Sequence, residues 1–196
     1  MALVINKKNS GKTDKLFLDK TNWGFTDYQP EVYAVVEYDQ SGFDVDFVTK
    51  EANPLREKTN HFDDVCEDSC VEFFVNFDPE NSNKYINFEV NANGVMQASL
   101  RVDRYDYQHL TIPDIESLGI TVDIREDEWE VKYHVSTDLI KKYYPKFDIN
   151  TCKYVIGNMQ KCGDKQKAIH YMSLFTIACE NPDFHRPEYF DKIELA

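Results

Sequence analysis

The 196-residue chain sets 35 acidic against 22 basic residues, a formal net charge of −13. Such a surface is repelled by phosphate backbones and anionic bilayers, so nucleic acid and membrane are excluded as first choices of partner; a neutral ligand, a cation or a basic protein suits it better. With 42% apolar and 14% aromatic residues, the chain can bury one sizeable core without metal or disulfide staples.

Residues 1–30 read as irregular, short apolar clusters being interrupted by Lys, Asn, Gly and Thr. The opening Met1–Lys8 holds too short an apolar run for a signal peptide, and no stretch is long enough to cross a bilayer as a helix. Strand patterns then follow. Val32–Tyr38 is β-branched and apolar, Gln40-Ser41-Gly42 reads as a turn, and Phe43–Val48 alternates with period two, so the two runs form a hairpin. Residues 50–69 are polar and acid-rich and read as a long solvated loop.

The best-patterned strand is Cys70–Phe77, with Val71, Phe73, Val75 and Phe77 on one face and Glu72, Phe74 and Asn76 on the other. Tyr85–Asn91 repeats the pattern: Ile86, Phe88 and Val90 oppose Asn87, Glu89 and Asn91. The turn Ala92-Asn93-Gly94 leads into Val95–Val102 and completes a meander. Ile120–Ile124 and Trp129–Ser136 follow, Trp129, Val131, Tyr133 and Val135 alternating with polar residues. Thr137–Tyr144, capped by Ser136 or Thr137 and ended by Pro145, is the one helix. Tyr154–Lys161 and Lys192–Leu195 are the last strands. The sum is all-β, a two-sheet antiparallel sandwich with one short helix.

Antiparallel neighbours share a face, so Glu72, Glu89 and Asn91 come together opposite the apolar set. That grouping is open to several readings: a solvated sheet face, hydrogen bonding to hydroxyls, a metal site or an acid/base pair. Five cysteines (Cys66, Cys70, Cys152, Cys162 and Cys179) leave at least one thiol unpaired, and Cys66-x3-Cys70 has no matching second pair to make a zinc motif. Buried reduced thiols favour a cytoplasmic home. Asp63, Asp64, Glu67 and Asp68 lack the regular spacing of a calcium hand. His61, His109, His134, His170 and His185 form no metal-helix spacing, and neither a nucleophile elbow nor a phosphate loop is present.

The segments Asp68-Ser69-Cys70-Val71-Glu72-Phe73-Phe74-Val75, Tyr85-Ile86-Asn87-Phe88-Glu89-Val90-Asn91 and Pro182-Asp183-Phe184-His185-Arg186-Pro187-Glu188-Tyr189-Phe190 together resemble a family 9 carbohydrate-binding module, more closely the stand-alone bacterial proteins of that type. The resemblance spans residues 30–195. It implies an immunoglobulin-like β-sandwich, here one domain over residues 1–196, and non-catalytic binding of a mono- or oligosaccharide, a small sugar or chain end, in carbohydrate catabolism. It also implies a sugar clamped between two aromatic rings, and structural calcium in some members. By position, Glu72 matches a hydroxyl-binding glutamate and Asn91 a strand asparagine. Glu89 stands where xylanase-linked members have arginine. Phe184 falls at one clamp ring, Asn181 at an asparagine just before it, and Lys161 near a glutamine. His185 and Arg186, from the same tail motif, complete the ligand-binding set. The second clamp ring falls near Val65 or Cys66, neither of them aromatic; Trp23 and Trp129 lie outside the clamp positions, and Trp129 reads as core. Two alternatives stand beside this reading: glycoside hydrolysis through Glu72 and Glu89, and a protein-interaction module whose sugar site has decayed.

Overall fold

The computed structural model describes residues 3–196. In chain order its strands are β1 (Leu3–Lys7), β2 (Leu16–Phe17), β3 (Lys20–Thr21), β4 (Val32–Asp39), β5 (Gly42–Thr49), β6 (Cys70–Asn76), β7 (Tyr85–Asn91), β8 (Met96–Arg101), β9 (Tyr107–His109), β10 (Thr121–Ile124), β11 (Trp129–Ser136), β12 (Tyr154–Cys162), β13 (Tyr171–Ser173) and β14 (Asp191–Leu195). Helix α1 (Ile112–Ser117) lies between β9 and β10, and α2 (Thr137–Tyr143) follows β11. Among the described residues no helix is long and apolar enough to cross a membrane.

One sheet runs β14-β12-β6-β7-β8-β9, with β13 also on β12 and β3 on β13; the other runs β4-β5-β11-β10, with β2 on β4. Strand β1 joins them. Its Leu3–Ile5 half pairs with β14 and its Asn6–Lys7 end with β4, both in parallel. The expectation of a purely antiparallel arrangement is thus corrected to a mixed one. Long connections, not hairpins, bring β14 and β4 beside β1, and such connections leave either strand direction open.

The inner faces of both sheets meet in one core. Val71, Phe73 and Val75 of β6 and Ile86, Phe88 and Val90 of β7 pack with Ala34 and Val36, Phe43, Val45 and Phe47, and Trp129, Val131 and Val135. Ring contacts cross between sheets at Phe43–Phe77 (5.2 Å between centroids) and Phe88–Tyr133 (5.8 Å). The period-two assignment of faces therefore holds for both strands.

The turn before β5 needs Gly42. Its φ is +141°, and a Cβ there would lie 2.1 Å from the Val135 carbonyl oxygen. Helix α2 is the helix expected, capped by the Ser136 hydroxyl accepting from the Leu139 N–H. Helix α1 corrects the count of one helix to two. It is too short for a periodic apolar pattern, but Thr111 and Asp114 form a reciprocal capping box that starts it, and Pro113 favours its first turn.

Two further readings change. Residues 1–30 contribute strands β1, β2 and β3, which are too short and interrupted to show a pattern. The loop 50–69 is not simply solvated: Glu51, Val65, Asp68 and Ser69 are buried, and Val65–Glu67 form a 3-10 turn.

Candidate functional site

The outer face of β6 and β7 is where the polar residues gather, and it too is buried. Every residue of both strands is shielded, because chain from both termini folds over this face. Val65, Cys70, Phe74, Tyr85, Cys162, Ile177 and Phe184 form a second apolar cluster, with Trp23, Tyr171 and Phe190 packed on it. A cleft of about 170 Å³ remains between this cover and the sheet. That volume is below the roughly 300–1,000 Å³ of drug-sized sites, so the cleft suits a small ligand or one end of a larger one.

Glu72 and Glu89, directly opposite in the β6–β7 ladder, line the floor. They are 2% and 6% exposed. Burial pushes the Glu72 carboxyl well above its ordinary range, and the neighbouring Glu89 adds to the rise. Burial also lifts Glu89, to about 7, against the pull of Arg101 and a hydrogen bond from Asn87. A relay holds Glu89 in place: Arg101 Nε donates to Asn87 Oδ1 (2.7 Å), and Asn87 Nδ2 donates to Glu89 Oε1 (2.8 Å). The Cys162 thiol donates to Glu72 Oε1 at 3.1 Å.

His185 stacks on Phe74 (4.7 Å between centroids, 22° between planes), with Nδ1 3.1 Å from the Tyr85 hydroxyl. Its Nε2 lies 3.6 Å from Glu89 Oε1, but this is not an ion pair at neutral pH. Burial, then Arg101 and Arg104, lower His185 to about 3 and keep the ring neutral. Arg104 supplies the cleft's cation and is braced by Asp183 at 2.8 Å.

The side wall is aromatic. Trp23 contacts Phe184 (5.4 Å, 47°) and Tyr171 (5.4 Å, 86°), and Tyr171 contacts Phe184 at 6.0 Å. These rings touch one another. A sugar held between two facing rings would need them about 7–8 Å apart, twice a normal contact distance. The Trp23–Phe184 pair therefore offers one surface to stack against and no slot. Trp23 adopts a left-handed backbone (φ +57°), costly for a bulky residue. Its indole N–H donates to the Cys179 carbonyl (2.9 Å), and the preceding Asn22 is tied to Ser173 and to the backbone of Ile177.

Of the residues singled out by sequence, Glu72, Glu89, Phe184 and His185 line this cleft. The other four do not. Lys161 is fully buried on the opposite side of β12, its ammonium 2.7 Å from His170 Nε2 and 3.6 Å from Glu51 Oε2. The reason is strand parity: Gln160 and Cys162 pair with Glu72 and Cys70 on the cleft face, so Lys161 between them must point into the core. Asn91 is saturated: it donates to Lys58 O and Asp68 Oδ2 of the loop before β6 and accepts from the N–H groups of Asn93 and Val95 in the turn after β7. Asn181 is exposed, its carbonyl accepting from the Cys179 thiol. Arg186 turns to Glu188.

Sequence reading missed Trp23, Tyr171, Arg104, Cys66 and Asp164, all of which line the cleft, because they come from five separate segments of the chain that meet only in the fold. Trp23 carried one signal, a tryptophan before a glycine in an otherwise polar segment. Gln160 was missed as well. It lies opposite Glu72, is fully buried, and neither its amide oxygen nor its nitrogen has a partner.

The acidic loop does not fit calcium. Asp63 accepts from the N–H groups of Thr59 and Asn60, Asp68 from those of Glu57 and Lys58, and Glu67 pairs with Lys58. These carboxylates are spent on local donors and do not converge on one ion. A larger hollow of about 510 Å³ lies over the second sheet and helix α1; Lys132 pairs there with Asp46, His134 Nδ1 lies 2.6 Å from Asp44 Oδ1, and among its described lining residues Tyr133 alone brings a phenyl or indole ring.

The profile of carbohydrate-binding family 9 matches residues 4–195. The chain belongs to carbohydrate-binding family 9. A comparison with curated protein sequences returned no match. Among solved structures, this family 9 chain is similar to a protein from Bacteroides uniformis ATCC 8492 whose suggested role is carbohydrate binding (TM-score 0.80, 24% identity, covering 94% of this chain and 87% of that one). It is also similar to a family 9 carbohydrate-binding module from Caldicellulosiruptor kristjanssonii, solved with cellotriose (TM-score 0.65, 12% identity, 98% and 92% covered) and with glucose (0.64, 13%, 99% and 95%). At these identities the likeness is one of fold.

Proposed function

We propose that this family 9 protein binds a small neutral sugar, or the end of an oligosaccharide, in the cleft between the Trp23–Phe184–Tyr171 wall and the Glu72–Glu89 floor. The observation that carries the reading is an aromatic surface set beside buried, hydrogen-bond-capable carboxyls in a cleft too small for a large ligand. A sugar's C–H face stacks on the rings, while its hydroxyls reach the carboxyls and Arg104. Glu72, pushed by burial well above its ordinary range, and Glu89, lifted to about 7, can donate in their protonated forms as well as accept. The glucose and cellotriose complexes of the Caldicellulosiruptor module support a saccharide ligand.

We read the site as non-catalytic and its role as holding sugars in carbohydrate catabolism. Hydrolysis by a carboxyl pair needs environments that push the two groups apart, one protonated and one ionised. Here burial raises both, and the adjacent imidazole is neutral. We also read residues 1–196 as one domain with its sheets in the immunoglobulin-like arrangement, which the shared core supports. Calorimetric titration with a panel of mono- and oligosaccharides tests the proposal. Binding with Kd of about 1 mM or tighter is expected for at least one neutral sugar; no binding across the panel defeats it, and turnover of aryl-glycosides that disappears in Glu72→Gln defeats the non-catalytic reading.

A further inference from the structure

Cys70 of β6 and Cys162 of β12 stand directly opposite each other in the ladder and project to the cleft face. Glu72 follows two residues along β6 on that same face. One ligand atom from each of the three lies within 4.8 Å of the others. A tetrahedral zinc ion with Zn–S of about 2.3 Å and Zn–O of about 2.0–2.2 Å sets its ligands roughly 3.5–3.8 Å apart, so small side-chain adjustments close the gap. All three residues are almost wholly buried, yet Cys162 and Glu72 reach the cleft, which gives an entry path. Their local spacing hid the set: Cys66-x3-Cys70 suggests no pair, and the true partner of Cys70 lies 92 positions further on, at Cys162.

We infer that Cys70, Cys162 and Glu72 form a binding site for a borderline-soft divalent cation, zinc above all, with its fourth position turned to the cleft. Two thiolates and a carboxylate select such an ion over calcium or magnesium, which take oxygen ligands. The Cys162 thiol donates to Glu72, and metal binding at these ligands would displace that proton. No oxidant is required: each thiol and the Glu72 carboxyl give their protons to solvent, and the sulfur and carboxylate lone pairs bind the ion. The inference shares Glu72 with the proposed sugar cleft but does not depend on it.

The test uses the whole chain, stripped with a chelator and kept reduced with a phosphine, in the absence of sugar. Cobalt(II) is added first and read by absorption. A thiolate-to-cobalt charge-transfer band with the visible bands of a tetrahedral ion, saturating at one metal per chain and displaced by zinc, is expected. Calorimetry in buffers of different ionisation enthalpy should show at least two protons released per zinc, one from each thiol, with a third from the Glu72 carboxyl. Cys70→Ser or Cys162→Ser should abolish the thiolate band, and Cys152→Ser, away from the cleft, should keep it. An absent thiolate band in the wild type, a band unchanged in Cys162→Ser, or zinc uptake without proton release overturns the inference. The proton count needs no variant, so misfolding of a serine variant cannot decide the matter.

Discussion

Lys161 separates a ligand-binding role from a structural one. Replacing it with Met keeps its length but removes the ammonium that faces Glu51 at 3.6 Å and His170 at 2.7 Å. At an effective dielectric constant of about 20 the Lys161–Glu51 attraction is about 4–5 kcal/mol. Burial works against an ionised Glu51, but Lys161 and the donors Ser69 and Trp129 outweigh it and hold the carboxyl below its ordinary value. Without Lys161 that carboxylate is stranded, and breaking a buried pair costs about 3–5 kcal/mol. In a chain of this size this lowers Tm by roughly 6–20 °C. Adding Glu51→Gln removes the stranded charge and keeps acceptors for Ser69 and Trp129, so the double variant should recover most of the loss. Chemical denaturation of the two single variants and the double variant measures the cycle. If Lys161→Met stays within about 1 kcal/mol of wild type while its sugar affinity falls, the inward assignment of this residue is wrong.

Trp23→Ala removes the centre of the aromatic wall and should weaken sugar binding by about 1–2 kcal/mol, roughly 5- to 30-fold in Kd by calorimetry. His185 titrates at about 3 in the folded protein against an ordinary 6.5, so the unfolded chain binds more protons between these values and stability is lost as pH falls through them. Relative to His185→Gln, the wild type should therefore lose about 1.4 kcal/mol per pH unit in the middle of that window, measured by denaturation at a series of pH values; parallel stability curves would contradict a neutral buried imidazole. Gly42→Ala sets a side chain against the Val135 carbonyl at a positive φ and should cost about 2 kcal/mol or more in urea.

The strands of the meander were legible because period-two alternation is a local property, and the core faces of Cys70–Asn76 and Tyr85–Asn91 follow from it. The covering of their outer face was not. Trp23 and the Phe184–Phe190 tail cross it from opposite ends of the chain, and no local pattern reports such contacts. Lys161 shows how one position matters. A site carried over by similarity onto β12 landed one residue from Gln160, and on a strand one residue is the other face. Asn91 shows a different gap: its polarity and face were right, but its amide is consumed by the loop before β6. The Cys70–Cys162 juxtaposition needed the pairing of β6 with β12, which nothing in either segment specifies.

The fluorescence of Trp23 tests the central claim most directly. Trp23 lines the cleft, whereas Trp129 is fully buried with its indole N–H on Glu51. Titration with glucose or cellotriose should produce a saturable change in emission, half complete at about 1 mM or below, that disappears in Trp23→Phe while the Trp129 signal stays constant. A wild-type emission unmoved by any saccharide that calorimetry shows to bind would place the ligand elsewhere and contradict this cleft as the site.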